Sequence, residues 1–381
     1  SSRARVLAER QGLAAPVRAQ AATFMRAARE YHTTIVFYWL APRSYAWIVT
    51  GSAIRCVPLP SSAAIDALVR QHQQAIAGAL SDPLARSNAA GRELYRVLVE
   101  PFASQIAAGE SVLVVPDGSL TGLNFETLPV DGPIGSHYWI EDVQLAVAPS
   151  IGMLATPTQE PPLDSLLLIG DAAAHGPDFP ALRYAAPEMT AVAQHFDAAR
   201  TAVYRGRDAS PAAYRAARPE QFALIHFTAH AEPNPVSPLD SAVVLSGPPG
   251  TFKLYARDVA DHPLHAELVT ISACRSAGGR AYSGEGLVGF SWAFLRAGAR
   301  NVIAGLWDVD DQSTVDLMDG LYARLTRGAS AADALRSAKL EAIHRGGGFA
   351  KPYYWATFQL FTVSPSSLAS TRTTLHTQTG Q

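Results

Sequence analysis

Cysteine is scarce in this sequence, because only Cys56 and Cys274 occur among 381 residues. Two cysteines cannot build the disulfide framework on which small secreted domains depend, so we expect a reducing, cytoplasmic environment. No apolar run approaches the roughly 20 residues of a membrane-spanning helix. No basic start followed by an apolar stretch and a cleavage site is visible, so no signal peptide is predicted. These absences predict a protein with no membrane partner.

The sequence also lacks an excess of either charge. It contains 31 Lys and Arg against 33 Asp and Glu, which gives a net charge of −2. This balance argues against a nucleic acid or an anionic membrane surface as the main partner. Hydrophobic residues make up 48% of the chain, which is ample for a sizeable interior. A chain of this length exceeds the usual size of one core, so two domains or subdomains are expected.

Glycine-rich phosphate loops are absent where a nucleotide-binding domain would need one. The segment GDAAAHG (170–176), which follows the apolar run LLLI, contains neither G-x-G-x-x-G nor G-x-x-x-x-G-K-[ST]. A doubly wound nucleotide-binding domain is therefore the weaker alternative. We find no internal repeat of 20 to 50 residues, and no cofactor is predicted.

The chain divides into four predicted segments. Residues 1–30 show helical spacing and are expected to be the end of a repeat or docking module. Residues 31–156 combine a three-stranded meander at 33–57 with helices between 61 and 109. The proline-rich PTQEPP (157–162) is the best candidate for a linker to residues 163–363. The Ser/Thr-rich tail, residues 364–381, is predicted to be disordered.

Residues 163–363 predict an α/β fold. Continuous apolar runs such as LLLI, ALIHF, LVTIS and NVIAG are typical of strands buried on both faces. Their alternation with helical patterns predicts a mostly parallel sheet flanked by helices on both sides.

Reactive side chains follow four of these predicted strands. Asp171 follows LLLIG, His230 follows IHFTA, Cys274 follows VTISA and Asp308 follows VIAGLW. In an open parallel sheet, ligands gather outside the carboxyl ends of the strands. A lone cysteine or histidine is more often structural, but a thiol and an imidazole at neighbouring strand ends favour a pair that attacks an acyl carbon.

Main-chain N–H groups at the same edge can stabilise the charge that such an attack creates. We expect the N–H groups of Cys274 and Ala231 to form an oxyanion site.

His226 and His230 are spaced as a helical zinc pair would be, but FALIHFT favours a strand. Four strand residues place the imidazoles about 13 Å apart, so no metal site is predicted.

Several motifs together resemble one family. The runs HFTAHAEPN (226–234), ISACRSAGGRAYSGEGLVGFSWAFLRAGARNVIAGLWDVDDQST (271–314) and KPYYWATFQLF (351–361) resemble the CHAT domain, a caspase-like protease family often attached to TPR repeats. PDGSLTGLNFETLP (116–129) fits the same pattern. The resemblance implies a caspase-like catalytic half at 163–363, preceded by a diverged, non-catalytic half.

The resemblance also assigns roles to the reactive residues. It implies that His230 is the general base and that Cys274 is the nucleophile of a cysteine endopeptidase. Ala231 stands where related proteases often have glycine, so its methyl group is expected to narrow the oxyanion site.

The side chain before the scissile bond is expected to be basic. The segment LWDVDD resembles the corresponding stretch of separase-like proteases, which favour arginine before the scissile bond. The carboxylates of Asp171 and Asp308 suit the guanidinium group of such an arginine. Arg275 suits an acidic side chain instead, so an acidic residue before the scissile bond stays open as an alternative, along with small or apolar residues. Glu285 lies in a glycine-rich stretch after the nucleophile, which is either a loop that reorganises on activation or a helix start.

The resemblance further implies protein partners. The expected partners are a protein substrate and a regulatory sensor or repeat domain. The implied setting is a bacterial defence or regulated cell-death pathway, with a gasdermin-like pore former or another effector as substrate. The alternative is a catalytically silent caspase-like scaffold that mediates protein–protein interaction.

Overall fold

The computed structural model describes residues 21–30, 32–77, 82–84, 88–133, 135–149, 163–234, 236–273, 283–307 and 311–364. The predicted linker (157–162) and tail (365–381), and residues 1–20 of the predicted N-terminal helices, lie outside the described residues. The strands are β1 (Thr33–Trp39), β2 (Ser44–Val49), β3 (Ile54–Leu59), β4 (Ser111–Val115), β5 (Pro129–Gly132), β6 (Gly135–Tyr138), β7 (Gln144–Val147), β8 (Leu166–Ala172), β9 (Thr201–Gly206), β10 (Leu224–Glu232), β11 (Ala242–Val244), β12 (Lys253–Tyr255), β13 (Leu268–Ala273), β14 (Asn301–Gly305) and β15 (Phe358–Thr362).

The α-helices lie on both faces of the sheet and at its edges. They are α1 (Ala21–Glu30), α2 (Ser62–Ile76), α3 (Ala89–Leu98), α4 (Trp139–Asp142), α5 (Ala185–Ala193), α6 (Pro211–Ala216), α7 (Ala256–Ala260), α8 (Ser283–Ala297), α9 (Asp311–Leu325), α10 (Ala331–Arg345) and α11 (Pro352–Trp355).

Short polar side chains fix where several helices begin. Ser61, Asn88, Ser210 and Ser330 each precede a helix and accept a hydrogen bond from a backbone N–H three residues later. Such caps satisfy donors that the first helical turn leaves unpaired, and each stabilises a helix by about 1 kcal/mol.

One large sheet runs through the described part of the chain. Its strand order is β12-β11-β10-β13-β14-β15-β7-β4-β1-β2-β3, and β8 lies along the first part of β10 with β9 outside it. β9, β8, β10, β13 and β14 are parallel. β15 is antiparallel to β14 and parallel to β7, so it joins the two predicted halves. The predicted meander of β1, β2 and β3 is confirmed as antiparallel.

The strands of the second half are buried on both faces, as their apolar runs predict. Val269 and Ile271 of β13 pack with Phe290 and Phe294 of α8. Leu268, on the opposite face, belongs to a core that includes residues of α5 and α9. Side chains alternate between faces along a strand, so every second residue of β10 and β13 points toward α5 and α9. The predicted α/β fold with a mostly parallel sheet and flanking helices is therefore confirmed.

The two predicted halves are joined by more than one strand pair. Asn124 Nδ2 donates to the carbonyl of Ala356 at 2.7 Å. Arg336 of α10 donates to the carbonyls of Ile140 and Glu141 at 2.8 and 2.7 Å. A guanidinium that binds the carbonyls around α4 fixes the second half to the first, and the predicted boundary between 156 and 163 remains a prediction.

Candidate active site

The first predicted dyad residue, His230, lies beside the end of the strand that precedes the second, Cys274, in the chain. β10 and β13 are parallel, and Ala229 of β10 is in register with Ala273 of β13. His230 is the next residue on β10. β13 ends at Ala273, and Cys274 lies outside the described residues. The register therefore brings His230 to the strand end that leads directly into Cys274.

His230 lies on an extension of β10 beyond the parallel sheet. β8 pairs with β10 only as far as Thr228, and from His230 onward the strand pairs instead with β11, where His230 is opposite Val244. The side chain is 6% exposed. By the alternation of side chains, it lies on the sheet face that carries α5 and α9.

One hydrogen bond determines which nitrogen of His230 can act as a base. Nε2 lies 2.7 Å from the carbonyl oxygen of Pro180. A carbonyl can only accept, so Nε2 carries a hydrogen. In the neutral imidazole, Nδ1 then holds the lone pair that can take a proton. This is the tautomer that a general base needs, with the ring held by its other nitrogen.

The loop that supplies Pro180 packs against the β11–β12 hairpin. His175 stacks on Phe252 at 4.1 Å between ring centroids, and its Nε2 donates to the carbonyl of Leu245 at 2.8 Å. Phe179 lies 5.8 Å from the ring of His230. Lys253 Nζ is 5.8 Å from the centre of the Phe179 ring. These contacts hold the loop, and with it the carbonyl that orients His230.

His226 belongs to a buried polar cluster rather than to a metal site. Its Nε2 lies 2.9 Å from Glu188 Oε1 and its Nδ1 lies 2.9 Å from the hydroxyl of Tyr322. Tyr322 in turn donates to Thr270 Oγ1 at 3.1 Å. Burial raises the pKa of Tyr322, so the hydroxyl keeps its hydrogen. Among the described residues, no group of three His, Cys, Asp or Glu could hold a metal ion.

A small cavity lies beside this cluster, under the ends of β10 and β13. Its volume is about 10 Å³, which is enough for one water molecule. It is lined by Leu182, Tyr184, Glu188, Thr228, Ser272 and Thr314. Thr228 and Ser272 are in register with each other, two residues before His230 and Cys274 respectively. The cavity is therefore lined by the residue that lies two positions before His230 on β10.

Of the other predicted site residues, the structure describes Asp171, Ala231 and the backbone of Glu285. Asp171 sits at an irregularity in β8 with a φ of +52°, and it is not among the residues that line the cavity. Ala231 is paired with Val243 in the β10–β11 ladder. Glu285 falls in the first turn of α8, but its side chain lies outside the described residues. Arg275 and Asp308 also lie outside them.

Sequence reasoning missed three parts of this site. Pro180 acts through its backbone carbonyl, which leaves no signal in the residue type. Glu188 and Tyr322 lie in helices whose sequence pattern alone gives them no role in a site. A signal was available for Glu188, because it is the one acidic residue in the apolar helix AAPEMTAVA (185–193). A lone charge on a buried helix face indicates a buried polar partner.

No helix in the described part of the chain is long and apolar enough to span a bilayer.

The other cysteine, Cys56, lies within the described residues. It is a free, exposed thiol on β3, at the far edge of the sheet.

Comparison with known structures defines the class of fold. Separase from Saccharomyces cerevisiae, in its complex with securin, aligns with a TM-score of 0.55 and 9% identity over 90% of this chain and 30% of that one. The Arg specific cysteine proteinase gingipain R aligns with a TM-score of 0.45 and 14% identity over 80% of this chain and 75% of that one. The alignment with separase shows that the chain has a caspase-like α/β fold.

Sequence comparison narrows this class to a family. The CHAT domain model matches residues 88–363, and the chain belongs to the CHAT domain family. Tetratricopeptide repeat protein 28 from Mus musculus is 34% identical over 120 residues, and its Homo sapiens counterpart is 31% identical over 120 residues. In each case the match covers 30% of this chain and 5% of the relative. The chain thus corresponds to a small part of these relatives.

Proposed function

We propose that this chain is a cysteine endopeptidase in which His230 is the general base and Cys274 is the nucleophile. The observation that carries the proposal is the register of Ala229 with Ala273. His230 and Cys274 immediately follow these two paired residues in the chain. The orientation of His230 by the Pro180 carbonyl supports the same role.

The proposed chemistry follows from these positions. Nδ1 of His230 takes the thiol proton of Cys274, and the thiolate attacks the carbonyl carbon of the scissile peptide bond. The N–H groups of Cys274 and Ala231 stabilise the resulting oxyanion. The intermediate collapses as the C–N bond breaks, and the imidazolium gives its proton to the leaving amine. Water, deprotonated by His230, then hydrolyses the thioester and frees the thiol.

The proposed substrate is a protein cleaved after a basic residue. Carboxylates at this edge of the sheet would select it: Asp171 is the next-to-last residue of β8, and Asp308 comes three residues after β14 in the sequence. Glu285, in the first turn of α8, would contact the substrate chain near the nucleophile. Arg275 would favour an acidic residue instead, so peptides with aspartate at this position belong in the test.

The proposed partners are a protein substrate and a regulatory sensor or repeat domain, in the cytoplasm. The similarity to tetratricopeptide repeat protein 28 supports a repeat-containing context. A defence or cell-death pathway with a gasdermin-like or other effector substrate is the setting that we propose for this activity.

Selective thiol labelling tests the dyad and also tests the alternative, a catalytically silent scaffold. The exposed Cys56 is first changed in Cys56→Ser, so that Cys274 is the only thiol left. Labelling by a fluorescent iodoacetamide near pH 7 should then be lost in Cys274→Ala and slowed at least tenfold in His230→Gln. His262→Gln, an exposed histidine on another loop, is the matched control and should label as the parent does.

The cleaved protein is identified by sequencing the new N-termini in cells that produce the parent or Cys274→Ala. New termini that depend on Cys274 support an endopeptidase. If Cys274→Ala produces the same termini, and His230→Gln labels as fast as the parent, the peptidase proposal is wrong and the scaffold is favoured.

A further inference from the structure

The loop between β8 and α5 carries the carbonyl that orients His230, and a second histidine lies in the same loop. His175 is half-buried and precedes Pro180 in the chain. Its backbone N–H donates to the carbonyl of Phe179 at 2.9 Å, which closes a tight turn immediately before Pro180. The backbone of His175 therefore fixes the residue that precedes the orienting carbonyl.

The side chain of His175 ties this turn to the β11–β12 hairpin. Its Nε2 donates to the carbonyl of Leu245 at 2.8 Å, and its ring stacks on Phe252 with 4.1 Å between the centroids and 19° between the planes. Leu245 and Phe252 are themselves joined, because the N–H of Leu245 donates to the carbonyl of Phe252 at 2.8 Å. The imidazole thus contacts both members of one cross-strand pair, through a polar edge and an apolar face.

These contacts form a closed ring around the predicted general base. His230 is opposite Val244 in the β10–β11 ladder, and Leu245 is the next residue of that segment. His175 joins Leu245 to the turn that presents Pro180. The carbonyl of Pro180 then accepts from His230 Nε2 at 2.7 Å. The position of the orienting carbonyl is therefore defined relative to the strand that pairs with His230.

The hydrogen bond from His175 does not depend on the charge of its ring. A carbonyl only accepts, so Nε2 carries a hydrogen in the neutral tautomer, and it carries one in the charged ring as well. A second hydrogen bond, from the N–H of Ala173 to Ser246 Oγ at 2.8 Å, also ties the loop to the hairpin segment. That bond lies before the turn, whereas the bond from His175 lies within it and so acts closer to Pro180.

We propose that His175 is a positioning residue for the general base. Through its hydrogen bond to Leu245, it sets where the carbonyl of Pro180 lies, and thereby holds His230 in the orientation that proton removal from Cys274 requires. The proposal deepens the proposed peptidase function and rests on it. A small misplacement of a catalytic group costs a large factor in rate, so an anchor that never touches the substrate still affects turnover.

A double-variant cycle tests whether His175 acts through His230. All proteins carry Cys56→Ser, so that Cys274 is the only thiol. His175→Ala should slow labelling by iodoacetamide about fivefold at about pH 7, and His230→Gln should slow it more. The two changes together should be no slower than His230→Gln alone, because the positioning residue then has no base to position. His265→Ala, an exposed histidine elsewhere, is the control and should label as the parent does.

Two further variants separate the two contacts of the imidazole and guard against misfolding of His175→Ala. His175→Gln keeps a donor for the carbonyl of Leu245 but loses the stacked ring. His175→Phe keeps a ring on Phe252 but loses the donor. Because a hydrogen bond is directional, we expect His175→Gln to label within about twofold of the parent and His175→Phe to stay as slow as His175→Ala. The reverse order would show that the hydrogen bond is not the anchor, and would overturn the proposal.

Peptide hydrolysis gives a second readout. With a fluorogenic peptide that has arginine before the scissile bond, His175→Ala should lower kcat about tenfold and change KM less than about threefold. A change confined to KM would place His175 in substrate binding and overturn its assignment as a positioning residue.

The outcomes of the cycle separate this proposal from the peptidase proposal. If His175→Ala labels as fast as the parent while His230→Gln is slow, His175 does not position the base and the peptidase proposal still stands. Equal slowing by His175→Ala with and without His230→Gln would indicate a general effect on the fold, which also overturns the assignment. If His230→Gln labels as fast as the parent, the peptidase proposal fails and the role of His175 fails with it.

Discussion

Lys339 and Glu126 form a buried ion pair between the two predicted halves of the chain. Lys339 is fully buried in α10, and Glu126 is 5% exposed. The ammonium group also donates to the carbonyl of Phe358 at 2.5 Å, where β15 begins. Burial lowers the pKa of Lys339, and the adjacent carboxylate opposes this by favouring the charged form. One ammonium group thus connects α10, β15 and the first half.

Removing one member of this ion pair should lower the free energy of unfolding more than removing both. In Lys339→Met, the Glu126 carboxylate is left buried without its partner, which should lower the free energy of unfolding by about 3–5 kcal/mol. Urea unfolding followed by tryptophan fluorescence measures this change. The double variant Lys339→Met/Glu126→Gln should recover much of the loss. Equal destabilisation in the single and double variants would contradict this account.

His72 should make the protein less stable in mild acid. Burial lowers its pKa to about 4, and its Nδ1 accepts a hydrogen bond from Asn88 while its Nε2 donates to Thr127. In the unfolded chain the pKa of histidine is about 6.5, so between these values the unfolded state binds the extra proton. The stabilising contribution is therefore complete above about pH 6.5 and is lost as the pH falls toward 4.

For His72 this loss should be about 2 kcal/mol between about pH 7.5 and about pH 5. Urea unfolding at the two pH values measures it. His72→Gln can accept and donate in the same directions but does not titrate, so it should remove this part of the pH dependence. The exposed His262→Gln serves as the comparison and should keep it. An unchanged pH dependence in His72→Gln would show that the buried imidazole is not responsible.

Phe179 should affect turnover because it supports the loop that orients His230. Phe179→Ala removes the ring that packs beside His230, Phe252 and Lys253. The Pro180 carbonyl then loses its support, and we expect kcat to fall about tenfold with a smaller change in KM. Peptide hydrolysis measures both constants. Phe349→Ala, an exposed aromatic residue that contacts Tyr354, should leave kcat unchanged; a fall in both variants would point to a general effect of losing an aromatic ring.

Gly170 should not tolerate a side chain. A Cβ atom at this position would lie 2.3 Å from the carbonyl oxygen of Thr228 on the neighbouring strand, so β8 and β10 would have to separate. We expect Gly170→Ala to lower the free energy of unfolding by about 1–3 kcal/mol. Thermal and urea unfolding measure it. Gly348→Ala is the matched control, since a Cβ atom there meets no neighbour within 4 Å; a neutral Gly170→Ala would show that the strands can move apart without loss.

The sequence predicts those features that depend on local pattern. The apolar runs around Ile225 and Ile271 identify β10 and β13 because burial on both faces requires uninterrupted apolar residues. The alternation of strand and helix then predicts parallel strands, and parallel strands bring His230 to the edge at which Cys274 follows β13. The meander of β1 to β3 is predicted for the same reason, since its strands are neighbours in the chain.

The polar network beneath the candidate site depends on distant residues and could not be predicted in this way. Glu188 is explained only by His226 and Thr228, which lie on a different element. Lys339 reads as an ordinary exposed residue of an amphipathic helix, and its partner Glu126 lies 213 residues away. A buried charge is tolerated only if a partner is present, and one sequence does not say which residue that partner is.

The position of β15 has a consequence for how the protein is made. β15 is the last strand in the described chain, yet it lies between β14 and β7, inside the sheet. During synthesis the ribosome must release Phe358–Thr362 before the two halves can share a continuous hydrogen-bonded ladder. Until then β14 and β7 are open edges that can pair wrongly with other chains. A nascent chain that stalls before β15 should therefore be a preferred client of chaperones that shield unpaired strands.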